Sequence, residues 1–317
     1  MTGSNEVEGT KCDLLVAVCT SNRADSLGGL LSSLRDLDQA PCHWVLLVID
    51  NPPAAETKAV VDRARDALSG PISVEYLAAE TQGLPNARNI ALRQALARNA
   101  RAVVFIDDDE TVSTDWLQQL WARHLEVPDE VVFGPARTVL ADNAPEWVER
   151  SGLAHRAEFE TGTRHPHCPT NNTLVPTSVL GDTWFDPAFN ATGGSDTDFF
   201  TRLVSKGAVI SYCREAVVYE AWDLDRASAS YLRERAHRWG RLFARVTIEQ
   251  RGAIGRLRVA ISAVSNLAVA VPLLTAGTIK GDVALKERGA AKVAGARGKL
   301  GALIGATVPG KSDWSWT

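Results

Sequence analysis

The chain has 317 residues, 45% apolar and 23% charged, an ordinary globular composition that excludes disordered and collagen-like classes. Its net charge of −4 conceals an asymmetry: residues 1–222 hold 18 Lys and Arg against 31 Asp and Glu, whereas residues 223–311 hold 16 against 6. The acidic front excludes nucleic acid as a long-range electrostatic partner, while the basic, apolar rear suits an anionic membrane surface.

Residues 1–12 are short of apolar side chains and are expected to form a disordered N-terminus without a signal peptide. Five scattered cysteines lack any CxxC spacing, so neither a disulfide framework nor a zinc site is expected, and a reducing cytoplasm is the default location. The apolar run Asp13 to Thr20 predicts a buried parallel strand that stops at Ser21, Asn22 and Arg23. Leu27, Leu30, Leu31, Leu34 and Leu37 then follow helical spacing over 25–38, with Asp25 as the expected cap.

A second apolar run, Trp44 to Ile49, is closed by Asp50, Asn51 and two prolines. A helix near 55–68, a strand at 72–77, a helix near 86–98 and a strand from Ala102 to Ile106 continue the alternation. Such alternation predicts an α/β fold with a mainly parallel sheet and helices on both faces. Ligands of these sheets sit beyond the carboxyl ends of the strands, so Thr20, Asp50 and Asp107 are expected to converge there.

A helix near 114–124 is followed by a mixed stretch, 131–222, with strands at 131–133 and 216–219 and a short helix near 196–206. A strongly basic helix is expected over 226–251, and residues 259–279 carry no formal charge.

Asp107, Asp108 and Asp109 follow the strand Val103 to Ile106, and three adjacent carboxylates repel one another unless a cation compensates them. Mn²⁺ or Mg²⁺ suits oxygen ligands and would bridge a diphosphate. The other reading is an acidic loop before the helix near Thr114; placement at a strand end, in register with Thr20 and Asp50, favours the cation.

Five motifs occur in order: Thr20 to Arg23, Asp50, Asn86 to Asn89, the triplet Asp107 to Asp109, and Gly193-Gly194-Ser195-Asp196-Thr197-Asp198. In these the chain resembles the family-2 glycosyltransferases of GT-A fold, particularly the bacterial branch that builds exopolysaccharides such as succinoglycan. The resemblance covers roughly residues 13–250. It implies a GT-A catalytic domain over 13–222, with a nucleotide-sugar half (13–130) and an acceptor half (131–222). A helical extension over 223–311 and a tail over 312–317 follow.

The same resemblance implies that Thr20, Asn22, Arg23, Asp50, Arg88, Asp107 and Asp108 line the donor, with Asp107 toward the ribose and Asp108 shaping the loop. Asp109 matches the metal-binding position. Asp196 matches the general base, which would take a proton from the acceptor hydroxyl in an inverting hexosyl transfer from a UDP-sugar to a glycan or glycolipid. Asn171, Asn172, Ser195 and Asp198 match the acceptor side, although Asn171 and Asn172 equally suit a turn and Asp198 a supporting role. Ser195 stands where the family has glutamate, which leaves acceptor hydrogen bonding to a hydroxyl. The expected basic helix carries Arg226, Arg233, Arg235, Arg238 and Arg241, of which one or more, Arg235 and Arg238 foremost, are candidates for meeting the departing diphosphate, while most suit a solvated or lipid-facing stripe.

Two rival functions are weaker. A sugar-phosphate nucleotidyltransferase needs a Gly-rich, Arg- and Lys-containing first loop that Thr20 to Leu30 lacks, and an inactive scaffold is at odds with intact Asp107, Asp109 and Asp196. Residues 259–279 are long enough to cross a bilayer, yet Asn266 and Pro272 favour an interfacial helical hairpin with 288–306 at the cytoplasmic face of the inner membrane. A buried or homo-oligomer-forming helical pair is the alternative for 251–306.

Overall fold

The structure is a computed structural model that describes residues 11–38, 42–67, 72–191 and 193–305. Strands β1 (Leu14–Thr20), β2 (Trp44–Asp50), β3 (Ile72–Ala78) and β4 (Ala102–Asp107) run parallel, where the apolar runs place them. Helices α1 (Ala24–Arg35), α2 (Ala55–Ala67) and α3 (Leu84–Ala97) connect them. Because successive strand residues face opposite sides, Leu14, Val16 and Val18 pack with Leu27, Leu30 and Leu34 of α1, whereas Leu15 and Ala17 pack with Ala91 and Leu92 of α3. Each fully buried leucine of α1 contributes roughly 1.5–3 kcal/mol. Helix α1 begins at Arg23 without a side-chain cap bond, so Asp25 is not the cap expected of it; it lies in the first turn, where a carboxylate still meets the positive helix end.

The register brings the strand-end residues to one level, with Thr20 opposite Asp50 and Cys19 opposite Asp107. Beyond β4 the chain passes through β5 (Glu110–Val112), α4 (Trp116–Glu126), β6 (Glu130–Phe133), β7 (Ala136–Leu140), α5 (Glu146–Ser151), β8 (Thr173–Pro176), α6 (Ser195–Ser205), β9 (Val209–Tyr212) and β10 (Val218–Trp222). The main sheet has the order β3-β2-β1-β4-β8-β6-β9, and β8 is antiparallel to both of its neighbours. Strands β5, β10 and β7 form a second, three-stranded sheet. The strand expected at 216–219 therefore lies at Val218–Trp222, and Tyr219 and Glu220 belong to it. There Glu220 pairs with Glu110 across β5.

The C-terminal part is α7 (Ala229–Lys280) and α8 (Val283–Leu303). Helix α7 breaks at Gly252 (φ 51°, ψ −124°), a backbone conformation that glycine adopts without Cβ conflict. The two helices expected near 226–251 and 259–279 are its halves, and α8 packs against both, so the expected hairpin is part of a three-helix bundle. On one side the Asn266 amide reaches the Lys292 carbonyl at 3.5 Å. On the other, Arg233 forks onto Glu287 at 2.7 and 2.6 Å. Arg150 of α5 reaches Asp282 at 2.9 Å and ties the bundle to the α/β part.

Glycines set the approach of α8 to the first half of α7: a Cβ on Gly298 would collide with the His237 carbonyl oxygen, while one on Gly301 would meet open space. Gly298→Val is therefore expected to lower stability in urea unfolding by about 1–3 kcal/mol, the usual cost of overpacking, relative to Gly301→Val.

One face of the second half of α7 is uncovered. Ile254, Leu257, Ile261, Val264 and Val271 are 59–68% exposed. The helix is long and apolar enough to cross a membrane by length and composition, with a mean hydropathy of 1.9 over its most apolar stretch, 17% of which is buried.

Candidate active site

A cleft of about 460 Å³ opens beyond the carboxyl ends of β1, β2 and β4, lined by Thr20, Arg23, Asn51, the three aspartates and Glu220. The Thr20 hydroxyl donates to Asp108 at 2.7 Å, and Arg23 donates to Asp108 at 3.1 Å and to Asp109 at 3.3 Å. Arg226, in the turn between β10 and α7, bridges Asp109 at 3.1 Å and Glu220 at 2.9 Å. Arg156 reaches the other Glu220 oxygen at 3.5 Å and donates to the Asn171 side-chain oxygen, Oδ1, at 2.9 Å. The Asn171 amide in turn donates to Glu110 at 2.6 Å.

The cleft is crowded with negative charge. Burial pushes the Asp107 carboxyl up to about 7, with Arg88 opposing the rise and the charges of Asp109 and Asp108 adding to it. Burial and the charge of Asp107 likewise hold Glu110 well above the usual carboxylate range. The guanidinium groups around these carboxyls do not fully offset their burial and mutual repulsion.

Among the described residues, no group of three or more His, Cys, Asp or Glu is arranged to hold a metal by itself. Asp109 offers a carboxylate that is 20% exposed at the cleft. Small divalent cations are commonly held by one or two carboxylates, with water and substrate phosphate oxygens completing the shell. The donor set thus fits a cation that arrives with a diphosphate and does not form a protein-only cage.

Asp107 also lines a second cavity of about 660 Å³, together with Arg88, Arg156, Asn171, Asp196 and Arg235. Asp196 lies in the first turn of α6 and accepts from the Thr197 amide at 2.8 Å. The chain enters α6 through Gly193 and Gly194, at φ 68° and 88°, and a side chain on Gly194 would collide with Leu242 of α7. Phe133, Phe159, His165 and Tyr212, packed mainly edge to face, form an aromatic wall of this cavity.

The residues expected to serve the donor separate into three groups. Thr20, Arg23, Asp107, Asp108 and Asp109 line the cleft. Asp50 sits just behind it, fully buried, accepting from the Ala54 amide at 2.8 Å and the Tyr76 hydroxyl at 2.9 Å, with its other oxygen unbonded. Its neighbour Asn51 faces the cleft instead. Asn22 is exposed at the loop tip with φ 53° and does not line the cleft, and Arg88 lines the second cavity, donating to the Ser195 hydroxyl at 3.1 Å.

On the acceptor side, Asn171 and Asp196 face the second cavity, but Asn172 does not. Asn172 is wholly buried, accepting from the Trp116 indole at 2.7 Å and donating to the Pro135 and Ala216 carbonyls, so it fastens loops together. Asp198 is held by Arg202 one turn along α6, at 2.9 and 2.6 Å. Ser195 is buried beneath Arg88.

Neither Arg235 nor Arg238 reaches the donor cleft. Arg235 stacks on Trp222 at 4.9 Å in the second cavity, and Arg238 lies over Tyr231 at 5.6 Å. Glu110, Arg156 and Glu220 belong to the site without having been expected there. Glu110 adjoins the triplet and Glu220 directly follows the expected strand 216–219, which were usable signals; Arg156 had none.

Residues 15–184 match the family described as Glycosyl transferase family 2. The chain is 31% identical over 246 residues to the succinoglycan biosynthesis protein ExoM of Rhizobium meliloti (strain 1021), covering 74% of this chain and 75% of ExoM. Among solved structures, TarS 1-349 of S. aureus superposes with a TM-score of 0.53 at 19% identity, over 75% of this chain and 65% of that one, just under two thirds of its length. GalNAc-T7, solved with UDP, GalNAc and Mn2+, superposes with a TM-score of 0.54 at 14% identity, over 73% of this chain and 47% of that one. The seven-stranded sheet with its one reversed strand is accordingly a GT-A fold, and the chain belongs to glycosyl transferase family 2.

Proposed function

We propose that the protein is an inverting glycosyltransferase that moves a hexose from a UDP-sugar to a hydroxyl of a glycan or glycolipid in exopolysaccharide synthesis. The observation that carries this reading is the meeting of two cavities at Asp107, one ringed by carboxylates and arginines, the other holding Asp196. The relation to ExoM supports the pathway class. TarS 1-349, solved with UDP and with UDP-GlcNAc, supports the donor class, and ligands of mainly parallel sheets generally sit beyond the carboxyl ends of the strands.

Thr20, Arg23 and Asn51 would bind the nucleotide, and Asp109 would supply the protein ligand of Mn²⁺ or Mg²⁺. When bound, such a cation neutralises charge on the diphosphate. Asp196 takes the proton of the acceptor hydroxyl, whose oxygen forms a bond to the anomeric carbon as the bond to the diphosphate breaks. Nucleoside diphosphate leaves with both electrons of that bond, and the sugar is inverted. A panel of UDP-sugars incubated with protein, Mn²⁺ and lipid-linked or free oligosaccharides tests this by release of UDP. No release and no UDP binding with any of them would refute it.

We also propose that the uncovered stripe of α7 rests on the cytoplasmic leaflet of the inner membrane. Arg251, Arg256, Arg258 and Lys280 flank the stripe and complement anionic headgroups. The protein is expected to sediment with phosphatidylglycerol vesicles, and Arg256→Gln with Arg258→Gln to weaken that binding by about 30-fold, at about 1 kcal/mol per charge. A stable dimer by light scattering with no vesicle binding would assign the stripe to a second copy of the chain.

A further inference from the structure

Three arginines of the C-terminal part carry different duties, and one of them stands in the donor cleft. Arg226 places one terminal nitrogen on Asp109 and the other on Glu220, at 3.1 and 2.9 Å. The Asp109 oxygen that accepts from Arg226 also accepts from Arg23 at 3.3 Å. That oxygen therefore lies between two guanidinium groups. A divalent cation binds a carboxylate oxygen at about 2.0–2.1 Å, and at that distance its repulsion of a guanidinium still hydrogen-bonded to the same atom is severe.

A cation that takes this oxygen displaces one of the two arginines, and the surroundings distinguish them. Arg23 holds Asp108 as well, whose other oxygen is fixed by the Thr20 hydroxyl at the end of β1. Arg226 likewise makes one bond to each of two carboxylates, but its second partner, Glu220, is also reached by Arg156, and its backbone lies in the turn between β10 and α7. We propose that Arg226 is an exchangeable counter-ion: it neutralises Asp109 in the absence of donor, yields that carboxylate to a donor-bound cation, and turns to the donor's diphosphate.

Charge accounts for both halves of the exchange. Asp107, Asp108, Asp109, Glu110 and Glu220 crowd one cleft, so the free protein needs a cation on Asp109 to limit repulsion. Arrival of a dication removes that need and brings phosphate oxygens, the partner that a planar guanidinium fits best. Arg235 and Arg238, engaged over Trp222 and Tyr231, leave this task to Arg226. Chemistry at the sugar is unchanged; Arg226 neutralises the leaving group.

The inference rests on the donor reading above, and the test separates the two. Calorimetric titrations would be run with Mn²⁺ alone, and with UDP at saturating Mn²⁺, on the full chain and on Arg226→Gln and Arg226→Lys. Loss of the competing charge is expected to tighten Mn²⁺ binding about tenfold in Arg226→Gln, and loss of the phosphate partner to weaken UDP binding about tenfold. Arg226→Lys, which keeps the charge without the fork, is expected to lie between wild type and Arg226→Gln for both ligands. Mn²⁺ and UDP affinities that move together, or that do not move, would overturn the exchange, because a purely structural role has no reason to send them in opposite directions. Failure of the unaltered protein to bind UDP would sink the donor reading itself.

Discussion

Asp109→Ala is expected to abolish metal-dependent stabilisation by UDP and to lower kcat/KM with Mn²⁺ by at least about 10²- to 10³-fold, the scale of losing one electrostatic anchor of a leaving group. Among the described residues no preformed cluster would replace it as a metal ligand. The fold should survive, since Asp109 occupies a turn at the cleft and is 20% exposed. In the unaltered protein, UDP and Mn²⁺ at 100 times their dissociation constant should add about 2.7 kcal/mol of stability. Asp109→Ala should show little of this gain in thermal unfolding, whereas its transition without ligand should remain cooperative. Retention of the full Mn²⁺-dependent gain would remove Asp109 from the metal site.

Asp196→Asn is expected to lower kcat by about 10²- to 10⁴-fold, the range for a positioned base, while leaving UDP binding unaltered. The amide is isosteric and its oxygen can still accept from the Thr197 amide, so the first turn of α6 should keep its geometry. Asp196 lines the second cavity and not the donor cleft, which is the reason to expect an effect on turnover without one on nucleotide affinity. Asp198→Asn is the matched control: it loosens the pair with Arg202, and its turnover should fall less than tenfold. The opposite ranking, with Asp198→Asn the more damaged, would move the base two residues along the helix.

The two variants probe opposite sides of Asp107, whose carboxyl is pushed up to about 7 by burial. A group in that position can bind or release a proton near neutrality as local charge changes. This is why the charge balance around it, including Arg88 on the acceptor side, bears on both cavities.

Much of the N-terminal half could be read from local pattern. Continuous apolar runs marked β1, β2 and β4, and the polar residues that ended them proved to be neighbours because parallel strands in register stop at one level. Strands β5, β7, β8 and β9 escaped notice because three to five residues are too few to establish a period. The break at Gly252 falls where the expected basic helix stops at 251, although the second half of α7 resumes before the expected 259.

The acidic triplet shows where sequence ends and structure begins. Sequence by itself determined that Asp107, Asp108 and Asp109 close a buried strand and that Asp196 opens a helix behind two glycines. Each of these follows from contacts within a few residues. Only the tertiary structure decided which cations and carboxylates share the cleft. Glu220 arrives by pairing β10 with β5, Arg156 from the loop after α5, and Arg226 from a turn 117 residues beyond Asp109. Tertiary packing also drew Arg235 onto Trp222 and left Arg226 on Asp109. Ion pairs are set by distance in space, which spacing along the chain does not encode.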